Sequence, residues 1–362
     1  MKRKVIFLLG VVIGSLLFLP AYNVLCKPEL FKSKDLKGKA KNLFNMDAVE
    51  SLLSVLLIKK GISVDPQKVM IGKDGWLFLG DGFVHSLKRK IDGSGIHKKE
   101  IEEVHQTMRL WDDYFKANGV RTFRIVIGPD KDSVYTDKLP EWDKHHKSQI
   151  ITSLINDGGE LYIRTHSAIM EERSVADMPL YYHTDTHWNA YGASVAFNVL
   201  AKSVSAEHPE TIWPSTTAKD FKSKEGKPGD LANFLRVTDI HEELVYLDNS
   251  DINKTNIELY DYPTGKLILK KQLTVISAPR TPTLVVSDNA LNDERVLWLR
   301  DSYGSAMSPF MAKTFREVLQ VHQGKVNPDL LESMVKSFKP KYVFITSVER
   351  DALGRFFTAP PN

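Results

Sequence analysis

Residues 296–305 read VLWLRDSYGS, and this stretch is the strongest indication of the fold. Its first part, Val296–Leu299, is an uninterrupted apolar run of the kind that forms a buried strand in a parallel sheet. Small residues around Ser302 predict a turn, and a helical pattern follows from Ala306 to Val318. Such a turn lifts a serine hydroxyl out of the sheet and points free N–H groups of the helix at an oxyanion formed beside it. Ser302 is therefore a candidate nucleophile.

Two residues upstream are suited to complete a catalytic triad. Asp185 and His187 alternate in sequence, so on an extended stretch both side chains point to one face and can enter one cleft. If they meet Ser302 there, His187 takes the hydroxyl proton and Asp185 orients the imidazole. The competing interpretation is structural, because serine is a common helix N-cap and Asp and His are often satisfied by local turns. Trp188 is expected to pack in the core rather than to stack on substrate.

Metal binding is the alternative chemistry for this segment. His183, Asp185 and His187 offer three ligand atoms at alternate positions, but no separate ligand motif accompanies them. Cys26 is the only cysteine, which excludes an intramolecular disulfide and a zinc site built on thiolates. We expect neither a metal nor a cofactor. The net charge of +4 over 362 residues is small and gives no reason to expect nucleic-acid binding.

The pattern of predicted elements favours an α/β fold. Residues 97–118 have the spacing of an amphipathic helix, a strand pattern follows at Thr122–Ile127, and a second helix and strand are predicted over residues 147–164. Asp130–Asp132 follow the first of these strands, at the end where α/β sheets place their ligand-binding loops. The alternation predicts a three-layer domain with a largely parallel sheet. Residues 213–292 differ, because short alternating segments and prolines there predict a β-rich insertion.

The first 26 residues are predicted to be a separate unit. Lys2-Arg3-Lys4 precede an apolar run from Val5 to Leu25, close to the roughly 20 residues that a membrane-spanning helix needs. An uncleaved anchor is the favoured interpretation and a cleaved signal peptide is the alternative, and both export the rest of the chain. Residues 27–68 are predicted to be a basic linker and a helix, and residues 69–362 the folded domain.

Four blocks carry a family resemblance: IGKDGWLF at 71–78, TDTHWNAYGA at 184–193, GDLA at 229–232 and LRDSYGS at 299–305. Together they resemble the exported SGNH-hydrolase-like O-acetyltransferases of the alginate type. In that family, as here, the Asp-x-His motif precedes the serine block. Carried over by motif, Ser302 is the nucleophile, His187 is the general base and then acid, and Asp185 holds the imidazole.

The resemblance implies acetyl transfer to hydroxyls of an exported polysaccharide at the periplasmic face of the bacterial inner membrane. It also implies a membrane-bound O-acyltransferase partner that supplies the acetyl groups. Arg300 stands where the family often has glycine or another small residue, and Arg300, Tyr303 and Trp188 are candidate substrate or oxyanion residues. Two alternatives stand beside this hypothesis: a carbohydrate acetylesterase with the same triad, and an inactive polysaccharide-binding subunit.

Overall fold

The computed structural model describes residues 2–32, 35–92, 98–143 and 147–362. Its α-helices are α1 (Lys2–Cys26), α2 (Leu36–Leu43), α3 (Asp47–Ile58), α4 (Ser86–Asp92), α5 (Lys98–Ala117), α6 (Lys131–Val134), α7 (Thr165–Arg173), α8 (Ala190–Glu207), α9 (Asp230–Phe234), α10 (Ser250–Asn253), α11 (Tyr303–Thr314) and α12 (Pro328–Phe338). Its strands are β1 (Val69–Ile71), β2 (Leu77–Leu79), β3 (Thr122–Gly128), β4 (Tyr162–Ile163), β5 (Phe221–Gly226), β6 (Glu242–Leu247), β7 (Asn256–Asp261), β8 (Lys266–Gln272), β9 (Thr283–Ser287), β10 (Asn292–Arg300), β11 (Phe315–Val321) and β12 (Tyr342–Val348).

One mixed sheet organises these elements, with the strand order β4-β3-β12-β10-β11-β9-β7-β8. The first five strands in this order are parallel to one another, and the last three join the edge by antiparallel pairing. The prediction of a largely parallel sheet is therefore not confirmed. The reason is that β7, β8 and β9, which lie in the segment predicted as an insertion, extend the main sheet. Because β7 and β8 form a hairpin and lack a helical crossover, they pair antiparallel.

Alternate residues of β10 pack on opposite faces of the sheet. Val296 and Trp298 belong to a core cluster that includes side chains of α7, α8 and α11. Leu297 and Leu299 belong to a second cluster, which includes side chains of α5 and α12. A strand that is covered on both faces must be apolar at every position, which explains the uninterrupted run in the sequence. Helices thus cover both faces of the sheet.

A tight turn joins β10 to α11. The buried carboxylate of Asp301 accepts from the backbone N–H of Tyr303 at 2.8 Å and from that of Val348 at 2.7 Å. One side chain therefore caps α11 and ties the turn to β12. A Cβ on Gly304 would lie 2.6 Å from Cδ of Arg300, so glycine is needed for the helix to start this close to the strand.

α11 ends earlier than its sequence pattern predicts. The helical pattern extends to Val318, but the helix ends at Thr314 and β11 begins at Phe315. β11 pairs with β10 on one side and with β9 on the other. This central position in the sheet outweighs the local helical spacing.

The N-terminal helix α1 is apolar and exposed. Its segment Val5–Cys26 has 22 residues, and its length and composition are sufficient to cross a membrane. Near the end of the helix, the buried Asn23 donates to the carbonyls of Leu43 and Asn45, at 2.9 Å each. A signal sequence near an N-terminus has the same properties. The anchor and signal-peptide interpretations both fit this helix.

Candidate active site

Ser302, His187 and Asp185 form a hydrogen-bonded series at the carboxyl end of β10. His187 Nε2 lies 2.8 Å from Ser302 Oγ, and His187 Nδ1 lies 2.6 Å from Asp185 Oδ1. Ser302 is exposed, and its side chain caps no backbone group of α11. The hydroxyl is accessible to a substrate, and the imidazole is in position to take its proton.

The loop that carries Asp185 and His187 is bent, so the alternation of an extended strand is not what brings the two side chains together. The two side chains meet because the backbone N–H of His187 also donates to Asp185 Oδ1, at 2.9 Å. Asp185 Oδ2 accepts from the backbone N–H of Asp230 at 3.0 Å. This approach requires Gly229, since a Cβ there would lie 2.3 Å from Cβ of Asp185. Four local hydrogen-bond and steric constraints thereby fix the carboxylate.

Asp230 is a second carboxylate of the site, to which the sequence did not assign a role. Its Oδ1 accepts from the backbone N–H of Thr186 at 2.8 Å, and its Oδ2 accepts from the Thr186 hydroxyl at 2.7 Å. Its Oδ2 is 3.9 Å from His187 Nδ1. Asp230 therefore holds the loop between the two triad residues, which gives a physical reason for the GDLA block.

Lys131 holds the same loop from its other side. Its buried ammonium donates to the carbonyls of Tyr182, His183 and Asp185 at 2.9, 2.9 and 2.7 Å. Burial lowers the pKa of Lys131 to about 7, although Glu242 and Asp185 oppose this shift. Glu242 in turn accepts from the backbone N–H of His183 at 3.0 Å. The buried side chains of Lys131 and Glu242 thus fix the backbone that leads into the triad loop.

We expect Lys131→Met to lower the unfolding temperature by about 4 °C, because three buried carbonyls would lose their donor at a cost of about 3 kcal/mol. Turnover of an acetyl ester should fall at least about tenfold, since small displacements of catalytic groups are costly. Lys138→Met is the matched control. Lys138 pairs with the exposed Asp74 and should change neither quantity measurably. Full turnover by a stable Lys131→Met protein would contradict the positioning role.

Asp185 and His187 fix each other's protonation state. Burial alone would raise the pKa of Asp185, but hydrogen bonds from His187 outweigh it and lower this pKa to about 2. Burial alone would lower the pKa of His187, whereas the hydrogen bond to Asp185 and the charge of Asp230 raise it above 6.5. With Asp185 ionised, the neutral imidazole carries its proton on Nδ1. Nε2 is then free to accept the proton of Ser302.

Arg300, predicted as a candidate substrate or oxyanion residue, is fully buried. Its Nε donates to the Gln320 side chain at 2.7 Å, and its Nη2 donates to the carbonyls of Ile276 and Ser277 at 2.8 and 3.1 Å. Burial lowers the pKa of Arg300 to about 9, with the charge of Asp301 opposing the shift. These contacts join the serine turn to β11 and to the segment after β8. They do not bring the guanidinium to the Ser302 hydroxyl.

Tyr303 and Trp188, the other two candidate substrate or oxyanion residues, are also buried. The Tyr303 hydroxyl donates to the carbonyl of Thr186 at 2.8 Å. The Trp188 indole N–H donates to the carbonyl of Tyr303 at 2.9 Å. The two side chains therefore connect the histidine loop to the start of α11, and core packing of Trp188 agrees with the interpretation favoured from the sequence.

The three metal ligands suggested by the sequence, His183, Asp185 and His187, do not come together in the structure. His183 turns toward Glu242, with 3.5 Å between His183 Nδ1 and a carboxylate oxygen. Asp185, His187 and Asp230 do offer ligand atoms within 4.8 Å of one another. However, the hydrogen bond between Asp185 and His187 Nδ1 uses two of these atoms, so a metal would have to break the contact that orients the imidazole.

An apolar groove of about 610 Å³ opens beside Ser302. Its lining comes from a strip of α11 and its N-cap, from β6 and residues 273–275, and from the loop that carries Asp185 and His187. The α11 strip contains Ser302, Ser305, Ala306, Pro309 and Phe310. Apart from tyrosines, Asp185 and His187 are the only ionisable residues among the described residues that line the groove. A separate pocket of about 650 Å³ between His322 and Ala359 contains none of the triad residues.

Comparison of the sequence with known families and proteins adds to this geometry. A family model described as "SGNH hydrolase-like domain, acetyltransferase AlgX" matches residues 69–273, which is more than half of the chain. The chain is 24% identical over 183 residues to the probable alginate O-acetylase AlgJ of Pseudomonas fluorescens, and 27% identical over 189 residues to that of Pseudomonas aeruginosa. Each match covers 49% of this chain and 43% of the relative, so the chain matches less than half the length of these proteins. The matched family region includes Asp185 and His187 and ends before Ser302.

Solved structures with low sequence identity share the fold. Bacillus cereus PatB1 has a TM-score of 0.55 at 15% identity, with 80% of this chain and 98% of that chain covered. A DHHW family protein from Eubacterium siraeum has a TM-score of 0.56 at 16% identity, with 83% and 98% covered. Each structural match covers at least 80% of this chain, so it extends beyond residue 273, where the family match ends. The matches support one common architecture for the folded part of the chain.

Proposed function

Because the chain belongs to the family of SGNH hydrolase-like domains of the acetyltransferase AlgX type, we propose that it transfers an acetyl group to hydroxyls of a polysaccharide through an acyl-serine intermediate. The observation that carries the proposal is the contact of His187 with both Ser302 and Asp185, at 2.8 and 2.6 Å. It supplies a nucleophile, a base and an orienting carboxylate in a family of acetyltransferases. The relatives named alginate O-acetylases support a polysaccharide acceptor.

The first half-reaction forms the acyl-serine. Ser302 Oγ attacks the carbonyl carbon of an acetyl ester while its proton passes to His187 Nε2. The N-terminus of α11 lies at Ser302, so its backbone N–H groups and helix dipole favour the oxyanion that forms. When the tetrahedral intermediate collapses, the ester C–O bond breaks and His187 returns the proton to the leaving oxygen. Acetyl-Ser302 and a free alcohol are the products.

The second half-reaction repeats these roles with the acceptor. A polysaccharide hydroxyl attacks the acetyl carbonyl, and its proton passes to His187 Nε2. The bond between Ser302 Oγ and the acetyl carbon then breaks, and the imidazole returns the proton to Ser302. Asp185 stays ionised throughout, since its pKa is about 2. It stabilises the imidazolium in both steps without taking a proton itself.

Helix α1 gives the proposed location. Its apolar segment follows Lys2-Arg3-Lys4, and three basic residues before a span favour a cytoplasmic N-terminus. We place the remaining domain on the extracytoplasmic face of the membrane, either anchored there or released by cleavage. A membrane-bound O-acyltransferase is the proposed source of acetyl groups. The residue ranges 27–68 for the linker and 69–362 for the acetyltransferase domain are part of this proposal.

The proposed function is tested by supplying a 4-nitrophenyl acetate donor with and without a deacetylated exopolysaccharide. Acetyl ester on the recovered polymer, together with less free acetate than in the reaction without polymer, would support transfer. Release of acetate alone, unaffected by polymer, would instead identify an esterase. Binding of polymer with no turnover of the donor would identify a binding subunit.

The pH dependence of turnover should have one acid limb set by His187. Its pKa is raised above 6.5, and only the neutral imidazole accepts the serine proton. Below this pKa the imidazolium predominates, so kcat/KM should fall about tenfold for each pH unit of acidification. Initial rates of acetyl ester turnover between about pH 5 and 9 measure this limb. A midpoint well below 6.5 would contradict the pairing of His187 with ionised Asp185.

A further inference from the structure

The apolar groove begins at the nucleophile and follows one face of α11. Its lining residues 302, 305, 306, 309 and 310 are spaced by three and four positions, as expected for one side of a helix. From Ser302 to Phe310 the helix rises about 12 Å. The side chains nearest the nucleophile, Ser305 and Ala306, are small. The groove therefore has space for a linear group attached to Ser302.

Outside α11, the groove lining combines aliphatic side chains with the aromatic side chains of Tyr182, Trp188 and Tyr246. Val245 and Leu247 come from β6, and Leu273 and Val275 from the segment that follows β8. Val275 is 55% exposed and stands at the rim, whereas Val245 is 2% exposed and lies inside. Such a surface gains free energy by covering methylene groups.

Several polar side chains of the groove already have protein partners. The Asn253 amide donates to the carbonyl of Leu247 at 3.1 Å, and the Ser305 hydroxyl accepts from Arg300 at 3.3 Å. The Thr274 hydroxyl accepts from the Lys271 ammonium at 2.7 Å. The hydroxyls of Tyr182 and Tyr246 also line the groove, but two hydroxyls are too few for a sugar acceptor, which has a polar group on nearly every carbon. Covering those groups without replacement hydrogen bonds is unfavourable.

From these observations we propose that the groove holds the acyl chain of the donor, and that the enzyme forms acyl-Ser302 with straight-chain acyl groups longer than acetyl, up to about eight carbons. Eight carbons fit within the length of about 12 Å, because an extended chain with bonds of about 1.5 Å at tetrahedral angles spans about 9 Å over eight carbons. The inference rests on the proposed acyl-serine mechanism. It extends the donors of that site from acetyl to longer acyl groups and places the acceptor outside the groove.

Acylation by a longer ester follows the same bond changes as acylation by an acetyl ester. Ser302 Oγ bonds to the carbonyl carbon of the longer ester, its proton passes to His187 Nε2, and the C–O bond to the leaving group breaks. With a 4-nitrophenyl ester, 4-nitrophenolate leaves and its absorbance reports acylation. Water or an acceptor hydroxyl then releases the acyl group from Ser302.

The test uses the full chain in lipid nanodiscs, because free detergent tails would compete for an apolar groove. The substrates are 4-nitrophenyl acetate, butyrate, hexanoate and octanoate, each rate being divided by its hydroxide-catalysed rate. Each buried methylene is worth up to about fourfold in binding, so corrected kcat/KM should rise at least about tenfold from acetate to hexanoate. A second series varies the alcohol of acetate esters at constant acyl group and should show no comparable rise.

Two variants probe the groove directly. Ala306→Leu keeps a strong helix former and fills the groove one turn from the nucleophile, so the hexanoate-to-acetate ratio of kcat/KM should fall at least about tenfold. Val275→Asp places a charge at the exposed rim and should lower the same ratio. Leu267→Asp is the matched control: Leu267 is 47% exposed on β8 and is not among the groove residues, so this ratio should not change.

The results distinguish failure of this inference from failure of the proposed function. Ser302-dependent turnover of acetate, with hexanoate no better than acetate after correction, would overturn the acyl-chain assignment alone. A rise with the alcohol chain instead of the acyl chain would assign the groove to the leaving group and also overturn it. If no ester, including acetate, gives turnover that depends on Ser302, the acyl-serine mechanism itself fails.

Discussion

Ser302→Ala should reduce acetyl transfer at least about 10³-fold while the protein remains folded. The substitution removes the only hydroxyl that lies within hydrogen-bond distance of His187 Nε2 among the contacts of the described chain. It removes no helix cap, because the Ser302 side chain caps no backbone group, and the residue is exposed. Stability should therefore change by less than about 0.5 kcal/mol. Release of 4-nitrophenolate and the unfolding temperature, measured on the same preparation, check both parts.

A double variant controls for indirect effects of this substitution. If Ser302 and His187 act as one unit, the turnover rate of the double variant Ser302→Ala/His187→Ala should lie within about threefold of the rate of the less active single variant. Independent roles would instead multiply the two losses. Acetyl transfer by a well-folded Ser302→Ala protein at more than about a tenth of the normal rate would remove Ser302 from the mechanism. An acetyl adduct on another residue would identify the replacement.

The turn that carries Ser302 could be predicted from sequence because its determinants are local. β10 is covered on both faces, so its apolar run is continuous, and the glycine at position 304 marks the close start of α11. The histidine and aspartate were also identifiable, because they lie two positions apart in one loop. Their meeting with Ser302 spans 115 positions, and that distance is closed only by tertiary structure.

Other residues of the site could not be assigned from sequence because their partners are backbone groups. Lys131 binds carbonyls that lie 51 to 54 positions away, and a carbonyl leaves no side-chain pattern. Asp230 likewise binds the Asp185 loop partly through its own N–H, at a distance that Gly229 permits. Arg300 gave the opposite difficulty. Its position in the serine block made it a candidate substrate or oxyanion residue, but its buried guanidinium donates to the carbonyls of Ile276 and Ser277.

The mixed strand directions of the sheet could not be predicted from sequence because they depend on long-range pairing. The spacing of short strands in residues 213–292 indicates β structure but does not state which edge those strands join. β9 pairs with β11 through the register Val285 to Val318, a long-range contact without a local sequence signal. The three-layer arrangement was easier to predict, because helix spacing and doubly buried strands are both local patterns.

Asp185→Asn should lower kcat about 10³- to 10⁴-fold, a larger loss than expected for any other single change outside Ser302 and His187. The carboxylate now accepts from His187 Nδ1 at one oxygen and from the Asp230 N–H at the other. An amide has one acceptor oxygen, so one of these donors would lose its partner. If the amide N–H groups face His187, the imidazole adopts the tautomer with its proton on Nε2. It then cannot accept the proton of Ser302.

A pH–rate profile separates this electrostatic role from a merely structural one. The hydrogen bond and charge of Asp185 raise the pKa of His187, so Asp185→Asn should move the acid limb of kcat/KM to lower pH as well as reduce its plateau. Asp230→Asn is the comparison, because Asp230 binds Thr186 and lies 3.9 Å from His187 Nδ1. Its loss should be about tenfold and its limb should move less. If Asp230→Asn lost more activity and moved the acid limb further than Asp185→Asn, Asp230 would be the residue that orients His187, and Asp185 would only hold the loop.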